Sequence, residues 1–224
     1  MVKLKHSYCL NLNDNDKNID LLKANSNFIA PNRVDLRDYC TPTDNQHNTP
    51  QCAAYTAANF AENILWRVND YPVHIDPNKI YAYAKNIDGY PKSDGTTLTA
   101  VAKGLIKYKI LDCKESDINI IYKNSLNDIK YSIHKYGCLM TAFNVTKSWF
   151  GLTSRNFIID YIPDDDRENF GHAMLACGYT NNHLILQNSW GVDWGRYGFA
   201  FISWELVQKY FVYGCTIKNS LKNI

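Results

Sequence analysis

The hydrophobic pattern of this chain changes period near residue 137, and no other feature constrains its fold as much. Before that point apolar residues recur three and four apart. In QCAAYTAANFAENILWRVND, Ala53, Ala57, Phe60, Ala61, Ile64, Leu65 and Val68 form one stripe, as an amphipathic or central helix requires. Thr49 is placed to cap this helix with Pro50 at its first position, which makes Cys52 its third residue. Further helices are expected after Asp76-Pro77, after Gly95-Thr96-Thr97, and from a capping-box-like Ser125/Asp128 pair to Gly137. Beyond 137 the stretches 138–145, 156–162, 172–180, 183–190, 197–204 and about 212–217 read as strands, with turns at Asn181-Asn182 and Gly191 to Gly195. Helices first and a mostly antiparallel sheet second give an α+β protein with two lobes. The expected division is a polar arm over residues 1–30, then a domain over 31–224. Its helical lobe covers about 45–137 and its β lobe about 138–217.

Composition removes several function classes. Lys and Arg number 24 against 22 Asp and Glu, a net charge of +2, which argues against a nucleic-acid partner or a polybasic membrane binder. No apolar run is long enough for a membrane span. The Asn- and Asp-rich N-terminus lacks the apolar core of a secretory leader, so an intracellular location is favoured. The 7 cysteines are odd in number and lack C-x-x-C spacing, which speaks against a zinc ribbon or a redox motif. The Asp164-Asp165-Asp166 run reads as a solvated loop. No metal, no cofactor and a monomeric chain are expected.

Three residues carry potential chemistry. Cys52, near a helix N-terminus, would feel unpaired N–H groups and the positive end of the helix dipole, which favour a nucleophilic thiolate. Taken singly, it is better read as a buried thiol among alanines. His172 heads an apolar strand, and Asn188 ends another. Singly these are a strand-end histidine and a turn former. Together they are the parts of a Cys-His-Asn nucleophilic system, in which the amide fixes the imidazole tautomer.

The surrounding residues strengthen that reading. VDLRDYCTPTDNQHNTPQCAAYTAANFAEN resembles the opening of papain-family (C1-like) cysteine peptidases, and FGHAMLACGYTNNHLILQNSWGVDWGRYGFAFIS resembles their His and Asn regions. Gln46 precedes Cys52 by six residues and His172 precedes Asn188 by sixteen, both at the family's spacing. The resemblance covers about residues 30–217 and implies a papain-like two-lobed fold with the active site in the cleft. It implies a peptide or protein substrate cleaved through a thioester. Cys52 would be nucleophile, His172 base then acid, Asn188 the group that holds the ring, and Gln46 an oxyanion donor with the Cys52 N–H. Trp190 would cover the Asn–His bond and Trp194 would line the primed side. Asp94 and Gly95 fall where the family pairs with substrate backbone, with Asp94 replacing a Gly. Phe170 and Gly171 would border the pocket for the second residue before the cut, with an apolar preference.

Departures are specific. Thr49 stands where the family has a half-cystine, so that disulfide is absent, as in a short leaderless bacterial or viral member. Ala53 replaces the Trp after the nucleophile. Residues 1–30 are too short for the long helical propeptide and would be a minimal segment in contact with the cleft or a simple arm. A transamidase or isopeptidase, or a latent scaffold used for protein binding, is the alternative.

Overall fold

The computed structural model describes residues 10–14, 16–123, 125–166 and 169–221. Cys9 and the first nine residues of the expected arm lie outside the described residues. The helices among those described are α1 (Cys52–Asn69), α2 (Pro77–Ile87), α3 (Leu98–Lys107), α4 (Leu126–Tyr136) and α5 (Trp204–Tyr210). None is long and apolar enough to cross a membrane. The strands are β1 (Asp20–Leu21), β2 (Val34–Asp35), β3 (Ile118–Tyr122), β4 (Leu139–Val145), β5 (Ile158–Ile159), β6 (Phe170–Tyr179), β7 (His183–Gln187), β8 (Phe199–Ser203) and β9 (Phe211–Ile217).

Two helix starts form as their sequences dictate. The Asp76 side chain accepts from the Asn78 N–H ahead of α2, and Thr97 accepts from the Ala100 N–H ahead of α3. Two others differ. Helix α1 begins at Cys52 with Gln51 as its cap and no capping side chain. The Thr49 hydroxyl instead donates to the Gln46 carbonyl at 2.6 Å, so Cys52 is the first helical residue and not the third. Ser125 makes no side-chain cap on α4. The Asp128 carboxylate that would complete its box accepts from the Ala24 N–H at 2.7 Å. Gly137, at φ +94°, ends α4 as expected. The first three turns of α1 are buried except for the half-buried Tyr55, and include Ala53, Ala54, Ala57, Ala58 and Ala61. Only a helix surfaced with small side chains can be approached so closely.

The strands join in the order β1-β3-β9-β4-β6-β7-β8-β5, with β2 also pairing to β6. All pairs are antiparallel except β1 with β3 and β5 with β8. Side chains alternate between the two faces, as the pleat requires. Met140, Ala142, Ala173, Leu175, Cys177, Tyr213 and Cys215 join the core under α1 to α3. Leu139, Phe143, Met174, Ala176, Leu184 and Leu186 join a second core that includes residues of α4 and α5. Thus β3 and α4, though they precede residue 137, pack with the sheet.

Strand β2 is pinned by charge as well as by pairing. Asp35 accepts from Arg37 Nε at 2.9 Å and from Arg33 Nη2 at 2.6 Å. Burial pushes its carboxyl up, but the bonds from Arg37 and Arg33 outweigh this and hold its pKa down to about 2. A depressed carboxylate pKa stabilises the fold above the unfolded value and loses that contribution as pH falls through the folded one. Asp35→Asn is therefore expected to cost roughly 1–2 kcal/mol at pH 7, discounted for the exposure of Arg33. Urea unfolding of both proteins should show the gap closing between about pH 4 and pH 2; a gap unchanged across that window would refute the assignment.

Candidate active site

Cys52, His172 and Asn188 lie on the start of α1, the start of β6 and the segment after β7. Cys52 is fully buried and is the first residue of α1, a helix start with no side-chain cap. Helix α1 packs across β6, whose third residue is His172.

His172 is 2% exposed, and its Nε2 lies 2.7 Å from Asn188 Oδ1. The Ser189 N–H also donates to that oxygen at 2.8 Å, which identifies it as the amide oxygen. His172 Nε2 therefore carries the hydrogen. The Asn188 backbone N–H donates to Gly198 O at 3.0 Å, so the loop after β7 is held by the turn ahead of β8. Trp190 stacks on the imidazole with centroids 4.5 Å apart and planes at 27°. Phe150 stacks on the other partner of this pile, 4.6 Å from Trp190 at 18°. His172 and Asn188 are both buried, with this aromatic layer against the imidazole.

Gln46 is held from three directions. Its backbone N–H donates to Ser189 O at 2.9 Å. Its Oε1 accepts from Ser189 Oγ at 2.7 Å, and its Nε2 donates to Thr49 O at 2.9 Å. The amide is thereby fixed with its N–H₂ end toward the residues that lead into α1. Asn45 bridges to Trp190, and the Gly191 N–H donates to Asp44 O at 2.9 Å. Segments that precede α1 and follow β7 thus form a short ladder. Ser189 and Phe150 were not singled out from the sequence. The Ser lies inside the Asn-Ser-Trp-Gly motif, whereas no local pattern marks Phe150.

The remaining expected residues fall out differently. Trp194 is 5% exposed, its indole N–H donates to Trp149 O at 2.7 Å, and it meets Trp190 edge-on. It backs Trp190 from the core. Asp94 is exposed, and its carbonyl accepts from Tyr81 Oη at 2.7 Å. Gly95 is buried, and its carbonyl accepts from Lys85 Nζ at 3.0 Å. Phe170 is half-buried, 6.0 Å from Phe150. Gly171 is covered by the N-terminal segment. A Cβ on it would lie 2.7 Å from the Leu10 carbonyl oxygen and 3.1 Å from Leu12 Cγ.

Two acidic groupings are accounted for by the fold. Asp166 accepts from the Lys147 and Ser148 N–H groups at 3.0 and 2.8 Å and so caps a turn. Ligand atoms of Asp44, Glu62 and His74 lie within 4.8 Å of one another. Glu62, though, is engaged by Thr41 and by the Ile75 N–H, and burial raises its pKa.

The family model described as papain family cysteine protease matches residues 75–220. The chain belongs to the papain family of cysteine proteases. That match includes His172 and Asn188, while Gln46 and Cys52 precede it. Among curated proteins the chain is similar to mouse cathepsin K, 22% identical over 201 residues, covering 78% of this chain and 60% of the relative. It is also similar to human cathepsin L2, 22% identical over 205 residues, covering 77% and 60%. The chain thus spans about 60% of the length of these relatives. Among solved structures, xylellain, a cysteine protease from Xylella fastidiosa, superposes with a TM-score of 0.73 at 17% identity, covering 96% of each chain. Procathepsin L2 from Tenebrio molitor larval midgut gives 0.74 at 17% identity, covering 95% of this chain and 78% of that one. These likenesses establish the papain-like α+β fold.

Proposed function

We propose that the protein hydrolyses peptide bonds by nucleophilic catalysis at Cys52. The observation that supports this most is the His172–Asn188 hydrogen bond of 2.7 Å beneath Trp190, in a papain-family chain whose Cys52 opens the central helix. With Nε2 committed to Asn188, His172 would exchange a proton with Cys52 through Nδ1. The thiolate would attack the scissile carbonyl carbon, forming an S–C bond while the carbonyl electrons move onto oxygen. The imidazolium would protonate the amine nitrogen as the C–N bond breaks, leaving a thioester. Water, deprotonated by the imidazole, would then release the acid and restore the thiol.

Gln46 Nε2 and the Cys52 N–H would donate to the oxyanion. Ser189 makes this donor rigid at no cost during the reaction, since Oε1 is already satisfied. Gln46→Ala is expected to lower kcat by roughly a hundredfold or more with KM little changed, as for loss of one oxyanion donor. Steady-state kinetics on a peptidyl amide checks this, and a loss confined to KM would remove Gln46 from the oxyanion site.

A further inference from the structure

We propose that residues Leu10–Asp14 are a permanent wall of the cleft. They would fill the space for the second residue before the cut, so that the enzyme accepts polypeptides by their amino termini and removes one residue at a time. The proposal rests on the peptidase reading above and adds the substrate class.

The segment bridges the two lobes beside the site. Leu10 pairs with Thr96, next to Gly95 on the helical lobe, and the Asn11 N–H donates to Thr96 O at 2.9 Å. On the sheet lobe the Leu10 carbonyl and the Leu12 side chain sit against Gly171, the residue before His172. Absence of a side chain at Gly171 is what lets the backbone approach so closely. If the pocket for the second residue before the cut lies beside Phe170 and Gly171, as the family resemblance implies, an extended substrate would need the space these residues hold.

The segment is built in as core. Leu10 is 5% exposed and belongs to the main apolar cluster, with Leu12 and Ile19 packed against it. Asp14 is equally buried. Its carboxylate accepts from Thr99 Oγ1 at 2.6 Å and the Thr99 N–H at 3.1 Å, at the first turn of α3. Tyr90 Oη donates to Asn13 O and Tyr122 Oη to Asp14 O. Asp16 pairs with Lys103 at 2.6 Å, and the chain then enters the sheet as β1 beside β3. A segment that must leave would not fill a core position, satisfy a helix N-terminus and supply a strand.

The test compares hydrolysis by the full chain of fluorogenic amides carrying one amino acid with a free α-amine and of N-acylated dipeptidyl amides. The expected result is a kcat/KM at least about tenfold higher for the single-residue substrates. Leu10→Gly should raise the N-acylated activity about tenfold or more and leave the single-residue activity within about threefold. Since Leu10 is a core residue, Leu12→Ala at a half-buried position is the second variant, expected to act in the same direction. Equal cleavage of N-acylated dipeptidyl amides by the unaltered chain would overturn the proposal. Hydrogen exchange gives a readout independent of catalysis: the Asn11 amide should be protected as strongly as the amides of β3, and free exchange there would also overturn it. If no amide is cleaved and iodoacetamide fails to modify Cys52, the peptidase reading falls, and the exchange data still decide whether the segment is a fixed wall.

Discussion

Cys52→Ala is expected to abolish amide hydrolysis, with a loss of at least about 10⁴ in kcat, because on the proposed mechanism it removes the atom that attacks the carbonyl. His172→Ala should lose a similar factor, and the double variant should be no worse than either single one. Residues that act as one unit are strongly non-additive, since removing the base leaves a thiol as inert as none. Asn188→Ala should lose less, since the ring it orients also stacks on Trp190 at 4.5 Å. Stability should distinguish these effects from misfolding. Cys52 lies among alanines at the start of α1, so Cys52→Ala removes one sulfur and keeps good helix propensity. Circular dichroism and urea unfolding should be nearly unchanged while activity is lost. Additive losses in the double variant would mean that the two residues act separately, and retained hydrolysis in Cys52→Ala would end the Cys-His-Asn assignment.

The parts of this site that the sequence makes legible are the ones built by short-range geometry. Gln46 and Cys52 are joined by a single turn, in which Thr49 returns to Gln46. His172 and Asn188 lie on the hairpin β6–β7, where pairing of Leu175 with Gln187 fixes their approach. Spacing alone can encode both. The illegible parts depend on partners remote in the chain. Thr49 has the chemistry of a cap, but the Gln46 carbonyl takes its hydroxyl and the helix starts later. Trp194 closes the same motif as Trp190, and its bond to the Trp149 carbonyl joins residues 45 apart that the motif does not mark. Strand β3 carries a buried Asn119 as its second residue, which breaks the apolar run that would have marked it. Helix α5 follows β8 with no Gly or Pro between them, and its start is signalled only by Ser203 reaching the Leu206 N–H. The placement of Leu10 against Gly171 joins positions 161 residues apart and leaves no local trace.

Gly198→Ala is expected to have a large effect outside the reacting residues. Two costs coincide there. The residue sits at φ +85°, in a loop where Gly191, Gly195 and Tyr197 also have positive φ. An L side chain in the left-handed region costs roughly 1–2 kcal/mol. A Cβ would also lie 2.1 Å from Thr43 Oγ1 and 2.3 Å from Thr43 Cβ, a contact that Thr43, itself buried, cannot relieve by rotating its side chain. The sum is expected to be about 3–4 kcal/mol, at the upper end for single substitutions, or a fall in Tm of about 6–16 °C for a chain of this size. Gly89→Ala separates the two costs, because Gly89 has φ +75° and no atom within 4 Å of its would-be Cβ. It should lose only the backbone part, roughly 1–2 kcal/mol. Gly151→Ala, with open space and no positive φ, should be close to neutral. The effect at Gly198 should reach the chemistry as well, since its carbonyl holds the Asn188 N–H at 3.0 Å and its own N–H is held by Trp194 O at 2.8 Å. A shift of that carbonyl moves Asn188 and with it the imidazole. Activity measured well below the lowered Tm should therefore fall in Gly198→Ala and not in Gly89→Ala. Equal activity in the two variants would mean that the turn ahead of β8 supports the fold without positioning the site.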